Sequence, residues 1–361
     1  MAVRLSDVAD RAGVSVKTVS NVVNGYVHVS QHTRERVQAV LDELGYRPNL
    51  SARSLRRGRS GLIALAVPAL DMPYFAELAG AVVEAAEERN WTVLVNQTDG
   101  RRDRERDIAR GLRGHLIDGL ILSPMALGAE DLADAGRTTP MVLLGERVSG
   151  GAVDHVVVDN VEASRAATAH LVQLGRRRIA AIGFQSEADA ASGVAPLRRR
   201  GYELALHDAG LAVQELLTPR VQDYVRREGH AAMTALLDAS EPPDAVFCFN
   251  DQLALGALRA AADRGVRVPE DVAVIGFDDT EDGRFSTPTL STVAPDKVLI
   301  ARTAVDMLHD RIALEGADRA RDVRVPFRLI ARESTLGAGM GRGEQAPAVL
   351  PRTSEVAPPH E

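Results

Sequence analysis

The spacing of apolar residues near the start of the chain predicts three short helices. Residues at i, i+3, i+4 and i+7 follow the pattern of a first amphipathic helix, namely Leu5, Val8, Ala9 and Ala12. After a turn at Gly13, Ser15 can cap a second helix and Ser30 a third. The third is expected to stop near Gly45 and to bury Val37, Val40, Leu41 and Leu44. This pattern predicts a small all-α unit of the helix-turn-helix type.

From Gly61 onward, short apolar runs alternate with longer helical patterns. The clearest runs are Leu62–Val67, Val93–Val95, Leu120–Leu122, Val142–Leu144, Val156–Val158, Ile179–Ile182, Val246–Phe249 and Val272–Ile275. Strands and helices in alternation predict parallel sheets that are covered by helices on both faces. About eleven strands over roughly 275 residues fit two such sheets better than one. The sequence therefore predicts an α/β core of two subdomains.

Differences in composition and in apolar spacing divide the chain into four parts. We assign residues 1–47 to the helix-turn-helix head, and residues 48–60 to a basic hinge helix and linker that is too short to be stable alone. The α/β core takes residues 61–336. The last 25 residues, 337–361, contain four prolines and few apolar residues, so we expect a disordered tail without the leucine repeat of a coiled coil.

Charge and cysteine content narrow the class of protein. Residues 1–60 have a net charge of +5 and the remainder −12, so only the head suits a polyanionic partner. The single cysteine, Cys248, cannot form an intramolecular disulfide, which fits a reducing compartment. No apolar run reaches the ~18 residues of a membrane span, and the polar N-terminus is unlike a signal peptide. We expect a soluble, cytoplasmic protein with no membrane partner.

The second predicted helix has an apolar face and a polar face. Val19, Val22 and Val23 project to one side, and the opposite side has Val16, Lys17, Ser20, Asn21 and Asn24. Lys17 can donate to guanine, Asn21 can pair with adenine, and Val16 can contact a thymine methyl group. Many surface helices also have a polar outer face. The basic charge and the basic hinge that follows favour the DNA-binding interpretation.

Two segments, LSDVADRAGVSVKTVSNVVNG and VSQHTRERVQAVLDELGYRPNLSARSLR, resemble the head of the lactose-repressor (LacI/GalR) family without a gap. The resemblance implies the main base contacts at Val16, Lys17 and Asn21, and a hinge leucine, Leu55, that wedges into the minor groove and kinks the duplex. Hinge arginines would contact phosphates; the alternative is a flexible linker whose arginines only aid solubility. The predicted DNA-binding residues are Ser15, Val16, Lys17, Thr18, Ser20, Asn21, Asn24, Arg53, Leu55 and Arg56.

Three further segments, DMPYFAELAGAV, FCFNDQLALGALRA and VAVIGFDDTEDGRFSTPTLSTV, resemble the core of the same family, which is shared with periplasmic sugar-binding proteins. The resemblance implies a cleft between two α/β subdomains. The predicted effector-binding residues are Tyr74, Phe75, Glu146, Arg198, Asn250 and Asp278. Tyr74 or Phe75 can stack on a ligand ring, and core packing is the alternative for one of them. Asp279 is expected to support its loop instead.

The leading hypothesis is a homodimeric transcriptional repressor that is controlled by a small effector bound in the cleft. The resemblance implies a sugar or sugar derivative as the commonest effector, with a nucleobase as the alternative. A two-fold dimer would place each head on one half-site of a pseudo-palindromic operator of double-stranded DNA. A transport protein would share the core but lack the head.

An enzyme would need a catalytic constellation, and we recognise none; no cofactor is expected. The acidic residues at 278, 279, 281 and 282 can suggest a metal or a carboxylate pair. We assign them to helix capping because no companion His or Cys set accompanies them.

Overall fold

The computed structural model of the chain describes residues 3–23, 26–46, 59–110, 116–136, 139–146, 153–186, 193–313 and 320–338. These residues form two units that are divided between Gly61 and Leu62. Most of the predicted hinge, including Arg53, Leu55 and Arg56, lies outside the described residues, as do Asn24 and the tail from residue 339. The predictions made for them therefore stay predictions.

The first unit contains three helices, α1 (Leu5–Ala12), α2 (Val16–Val23) and α3 (Gln31–Glu43). The sequence leaves the start of α1 undefined, and the structure defines it: the Asp7 carboxylate accepts the backbone N–H of Arg4 at 2.8 Å. Ser15 and Ser30 cap α2 and α3 as predicted, by accepting backbone N–H groups in the first turn of each helix. Their shared core contains Val8, Ala9, Ala12, Val19, Val22, Val37, Val40 and Leu41. Leu44, predicted to be buried, is only half-buried because α3 ends just before it.

Eleven strands in the described part of the second unit form two sheets. They are β1 (Leu62–Val67), β2 (Thr92–Gln97), β3 (Gly119–Leu122), β4 (Met141–Leu144), β5 (Asp154–Val158), β6 (Ile179–Ile182), β7 (Ala245–Cys248), β8 (Ala273–Phe277), β9 (Ser291–Pro295), β10 (Asp322–Val325) and β11 (Phe327–Ile330). The six-stranded sheet has the order β10-β5-β4-β3-β1-β2, and the five-stranded sheet has the order β11-β9-β8-β7-β6. Neighbouring strands are parallel as predicted, with one exception, since β11 runs antiparallel to β9. Because β11 follows β10 after Pro326 alone, its direction is set by β10.

The helices of the second unit cover these sheets. They are α4 (Pro73–Glu87), α5 (Arg102–Ala109), α6 (Ala129–Gly136), α7 (Asn160–Gln173), α8 (Val194–Asp208), α9 (Arg226–Leu237), α10 (Asp251–Asp263), α11 (Glu281–Arg284), α12 (Lys297–Ala313) and α13 (Glu333–Leu336). Alternate residues of β1 enter two different cores: Ile63 and Leu65 pack in one with α4 and α12, and Ala64 and Ala66 in the other with α5 and α6. The first sheet is thus buried on both faces, as its near-continuous apolar strands predict. None of the helices in the described ranges is long and apolar enough to cross a membrane.

The chain passes between the two sheets three times, after β5, after β9 and at Pro326. We define the N-terminal subdomain as the six-stranded sheet with α4, α5, α6 and α12. The C-terminal subdomain is the five-stranded sheet with α7 to α11 and α13. Helix α12 belongs to the first because it packs on α4, β3, β4 and β5, although it follows a strand of the second sheet. Residues after the carboxyl ends of parallel strands form the facing surfaces of a doubly wound fold.

Candidate functional site

The outer surface of α2 presents the residues that the sequence assigns to base contacts. Val16 is 47% exposed, Lys17 is exposed, and Ser20 and Asn21 are half-buried. The opposite side of the helix is buried against α1 and α3. The exposed start of α2 is therefore available to a partner, as base reading would require.

Ser15 and Thr18 have a structural part in the head. The Ser15 hydroxyl accepts the Thr18 backbone N–H at 3.1 Å and lies 2.9 Å from the Thr18 hydroxyl. These two residues shape the first turn of α2. Their contact with DNA, like that of Val16, Lys17, Ser20 and Asn21, stays a prediction.

Arg198 lies at the centre of the candidate effector site, buried within the first turns of α8. Its Nε donates to Asn160 Oδ1 at 2.7 Å, and its Nη1 donates to the Phe249 carbonyl oxygen. The guanidinium carbon lies 3.6 Å from the centroid of the Phe277 ring, a cation–π arrangement. Nη2 is 3.9 Å from Asp278 Oδ1. Arg198 thereby joins the ends of β7 and β8 to the start of α7, which is the first crossing between the subdomains.

Asp278 follows β8 and is buried next to Arg198. Its backbone has a φ of 117°, and that of Asp279 has a φ of 49°, both in the region that L-residues rarely adopt. Burial raises the pKa of Asp278 to about 6, and nearby Arg198 and Lys297 only partly offset this. A strained, buried carboxyl group with a raised pKa at a strand end is characteristic of a functional site.

Asp251, at the start of α10, forms hydrogen bonds with the loop that contains Asp278 and with the neighbouring strand β9. Its Oδ2 accepts the backbone N–H of Thr280 at 2.8 Å, and its Oδ1 accepts the Thr292 hydroxyl at 2.7 Å. A Cβ at Gly276 would lie only 2.3 Å from Asp251 Oδ1, so glycine makes room for this carboxyl group. Burial and the nearby Asp278 charge raise the pKa of Asp251 to about 8. Asp251 is a positioning residue that the sequence analysis does not assign to the site.

Glu146 belongs to the N-terminal subdomain and lies beside the same cluster. Its Oε1 accepts the backbone N–H of Val158 at 3.2 Å, just before the first crossing. Burial raises the pKa of Glu146, opposed by the positive charge of Arg198. Glu146, Asn160 and Arg198 therefore connect both subdomains to the crossing between them.

Aromatic side chains surround these charged groups. The pKa of Tyr74 is raised by burial and by the charges of Asp278 and Glu146, which places its hydroxyl in their field. Phe75 meets Tyr74 edge to face, with ring centroids 5.2 Å apart, and both residues pack against the core. Tyr74 also lies near the charged groups of the candidate site, while the contacts of Phe75 match the core-packing alternative.

Tyr224 was not predicted for the site. Burial raises the pKa of its hydroxyl, which lies in the field of Arg198 and Asp278 and donates to the Gly183 carbonyl oxygen at 2.8 Å.

Asn250 uses its side chain inside the fold. Its Oδ1 accepts the Leu253 backbone N–H at 2.9 Å and caps α10, while Nδ2 donates to the Tyr224 carbonyl oxygen at 3.1 Å. Both polar atoms thus have partners within the protein. Its predicted contact with an effector stays a prediction.

The assignment of the acidic residues after β8 to helix capping was wrong, since α11 has no side-chain cap at its N-cap residue Thr280, and Asp279 and Asp282 pair with arginines instead. Asp279 accepts from Arg284 and Arg332, each at 2.6 Å. Burial alone would raise its pKa, but these two hydrogen bonds outweigh that effect and lower it. Asp282 pairs with Arg226 on α9. Among the described residues, no group of His, Cys, Asp or Glu has the arrangement of a metal site.

Comparison with known proteins assigns the chain to a family. Residues 4–49 match the family described as bacterial regulatory proteins, lacI family, and residues 168–335 match a periplasmic binding protein-like domain. The HTH-type transcriptional repressor PurR of Erwinia tasmaniensis is 34% identical over 335 residues, which are 91% of this chain and 96% of the relative. The chain belongs to the LacI family. A PurR of Proteus mirabilis, 32% identical over 333 residues, is likewise named as a transcriptional repressor.

Solved structures of LacI-family proteins share its fold. The lac repressor dimer bound to operator and the anti-inducer ONPF has a TM-score of 0.80 at 30% identity, covering 93% of this chain and 100% of that chain. The complex of the transcriptional regulator CelR with cellobiose has a TM-score of 0.66 at 33% identity, covering 92% and 99%. A chain from Sanguibacter keddieii that is assigned to the LacI family has a TM-score of 0.71 at 48% identity, covering 78% and 100%. The predicted fold class is confirmed.

The candidate site brings together four of the six predicted effector residues: Tyr74, Glu146, Arg198 and Asp278. Asn160, Asp251, Tyr224 and Phe277 were not predicted for the site. Asn160, Asp251 and Phe277 each lie two positions after the end of a predicted strand, which is a visible signal. Their place in the site, like that of Tyr224, depends on tertiary contacts with Arg198 or with its neighbours.

Proposed function

We propose that this LacI-family protein is a sequence-specific transcriptional repressor whose affinity for its operator is controlled by a small, neutral, hydroxyl-rich effector. The observation that carries the proposal is Arg198, which contacts the strand ends of one subdomain and the crossing to the other. An effector that touches Asp278 and Glu146 would bridge both subdomains. It would change operator affinity through its different affinity for the open and closed forms of the cleft.

The head supports the DNA-binding half of the proposal. Val16 and Lys17 lie on the exposed start of α2, and residues 4–49 match the lacI family of bacterial regulatory proteins. Selection of random double-stranded DNA with the full-length chain should yield a pseudo-palindrome, because each head of a two-fold dimer reads one half-site. Binding to the selected DNA should weaken steeply as salt rises. Failure to enrich any sequence at low salt, with folded protein, would contradict the proposal.

The hinge prediction has its own test. Because Leu55 is proposed to wedge into the minor groove of the operator, Leu55→Ala should weaken binding to the selected sequence far more than binding to random DNA. The matched change Leu50→Ala, in the same segment, keeps the proposed wedge residue. An equal loss of affinity for the selected sequence and for random DNA in Leu55→Ala would contradict the wedge role.

The charges of the cleft support a neutral effector. Buried Asp278 and half-buried Glu146 lie near Arg198, whose Nε and Nη1 already donate to the protein. The second nearby cation, Lys297, is likewise engaged, since its ammonium group donates to the carbonyl oxygens of Asp278 and Asp279. An anionic ligand would be repelled by both carboxylates, whereas hydroxyl groups can donate to them. CelR is solved with cellobiose. These observations favour a sugar or a similar polyol for this chain.

Calorimetric titration and thermal shift with matched ligand pairs would test the effector class. We expect D-glucose or cellobiose to bind at least about tenfold more tightly than D-glucuronate at pH 7.5, because like charges repel in a buried site. Asp278→Ala should abolish the ligand response and leave operator binding intact. Asp238→Ala, which removes an ion pair with Arg264 directly after the end of α9, is the matched control. A retained response in Asp278→Ala would move the effector site elsewhere.

A surface of the C-terminal subdomain supports the homodimer. Phe285 is 80% exposed and lies beside Leu255, with Arg226, Arg259 and Asp282 around them. A large exposed aromatic side chain with an apolar neighbour and a charged rim is typical of a protein interface. We propose a second copy of this chain as its occupant, because the lac repressor, which matches 93% of this chain, is solved as a dimer.

The mass of the particle in solution tests this interface. Phe285→Asp should convert a dimer to a monomer in light scattering at micromolar concentration, since a buried unpaired charge opposes association. Leu216→Asp is the matched control because Leu216 is 86% exposed in a different segment of the same subdomain. An unchanged dimer in Phe285→Asp would place the interface elsewhere.

A further inference from the structure

Two charged residues of the N-terminal subdomain hold the loop that contains Asp278. Glu77 lies on α4, and Lys297 is the first residue of α12. Glu77 Oε2 lies 2.6 Å from Lys297 Nζ, and Glu77 Oε1 accepts the backbone N–H of Glu281 at 2.9 Å. Glu281 belongs to the C-terminal subdomain. The Glu77 carboxylate therefore makes one contact on each side of the boundary between the subdomains.

Lys297 extends this connection to the site itself. Its ammonium group donates to the carbonyl oxygens of Asp278 at 2.7 Å and Asp279 at 2.9 Å. Both of these residues have positive φ angles, so their carbonyl groups point where an ordinary strand end would not place them. Through these two hydrogen bonds, Lys297 fixes the backbone of Asp278, whose carboxyl group faces Arg198.

The burial of this pair sets it apart from ordinary surface ion pairs. The side chain of Lys297 is 13% exposed and that of Glu77 is 31% exposed. Exposed pairs contribute little because water screens them, whereas a shielded pair that also makes backbone hydrogen bonds has a definite geometry. A second ion pair joins Arg89, just after α4, to Asp306 on α12 at 2.5 Å, but Asp306 is 59% exposed.

We propose that Glu77 and Lys297 are positioning residues that stabilise the form of the core in which the Asp278 loop rests against the N-terminal subdomain. The inference rests on the proposed function, since an effector that bridges Asp278 and Glu146 binds this form best. Loss of the pair shifts the core toward the open form. A ligand that binds the closed form must then supply the free energy that the pair supplied.

The direction of the effect on DNA follows from linkage. Adding an effector and removing the pair act on the same equilibrium with opposite signs. The operator affinity of the effector-free Glu77→Gln variant therefore shifts opposite to the shift that an effector produces in the wild-type protein. This holds whether the effector releases the protein from DNA or recruits it.

The test compares the full-length Glu77→Gln, Lys297→Met and double variants with Asp306→Asn as the control. Glutamine keeps an oxygen that can accept the Glu281 N–H and removes only the charge, so the variant is expected to fold. The first readout needs no ligand. Spin labels at Glu87→Cys and Ala239→Cys report the separation of the subdomains, since both sites are exposed and the native Cys248 is buried. Dilution with unlabelled chain removes distances between subunits.

We expect a longer or broader label distance in both single variants, and the double variant should resemble the singles because the two residues act as one unit. For the best binder among D-ribose, D-glucose and cellobiose, Kd should rise at least about fivefold, as for a typical coupling between sites. Asp306→Asn should match the wild-type protein in all readouts. Unchanged distances in both single variants overturn the inference. If the wild-type protein binds none of the three sugars, the effector proposal fails while the distance measurement still tests the pair.

Discussion

Replacing Asp278 with asparagine is expected to stabilise the core. The carboxyl group is buried, and its pKa rises from 3.8 to about 6 chiefly through loss of water contact. A carboxyl group with a higher pKa in the folded state holds its proton more tightly when folded. Its contribution to stability is therefore fully present below pH 4 and is lost as the pH rises to 6. At pH 7 the charged group opposes folding, and a neutral amide of similar shape removes that cost.

The size of the effect follows from the pKa change. A rise from 3.8 to about 6 corresponds to up to about 3 kcal/mol at pH 7 and above. The pKa of Asp251 is raised by burial and by the Asp278 charge, so the substitution also removes the repulsion between the two carboxylates. For a domain of this size we expect Tm to rise by about 5 °C.

Calorimetry at pH 7.5 and at pH 4.5 measures this prediction, with Asp279→Asn as the matched control. The neighbouring carboxylate accepts from Arg284 and Arg332, which lower its pKa, so its loss should cost about 2 kcal/mol or more. The same substitution at adjacent positions is thus expected to have opposite signs. The gain in Asp278→Asn should shrink at pH 4.5, where the wild-type group is mostly protonated. A lower Tm in Asp278→Asn at pH 7.5 would refute the reasoning.

Three further outcomes are expected. Gly229→Ala should lower the free energy of unfolding in urea by about 2 kcal/mol or more, because its Cβ would lie 2.1 Å from the Leu253 carbonyl oxygen. The control Gly80→Ala, whose Cβ meets nothing within 4 Å, should instead stabilise by about 0.5–1 kcal/mol. Equal effects of the two substitutions would be inconsistent with the packing of α9 on α10. Tyr202→Phe should cost about 1 kcal/mol, since the buried hydroxyl donates to a carbonyl oxygen of β6 at 2.8 Å; an unchanged urea midpoint would count against it. Lys17→Ala should relax the base preference at one or two operator positions in a selection experiment, and an unchanged preference would exclude base reading by this residue.

The local sequence pattern was enough to predict the helices of the head and most of the strands. Apolar periodicity and serine caps act within one element, so the bounds of β1 and β6 agree with the sequence at both ends. Strand β9 was not named in advance because its residues, Ser291–Pro295, are buried through their place in the sheet and not through an apolar run. The antiparallel pairing of β11 likewise depends on how the chain crosses between sheets.

The site was predictable from polar residues at strand ends and from the family resemblance. Asp278 and Arg198 follow from the family resemblance, and the structure brings them together. Asn160 and Lys297 act through contacts with residues more than 15 positions away in the sequence, which no local pattern reports. Asn250 has the residue type of a ligand contact, yet the same oxygen serves as a helix cap. A polar residue at a strand end thus has two uses that the sequence alone does not separate.

The order of the last strands has a consequence for how the protein is made. β10 is an edge strand of one sheet and β11 is an edge strand of the other, and both are synthesised after residue 320. Neither subdomain is a continuous stretch of chain, so the ribosome releases the final strand of both sheets almost together. Domains commonly fold one after another during synthesis. Here the two halves of the core reach completion in the same few seconds, and a transcript cut short before β10 leaves both unfinished.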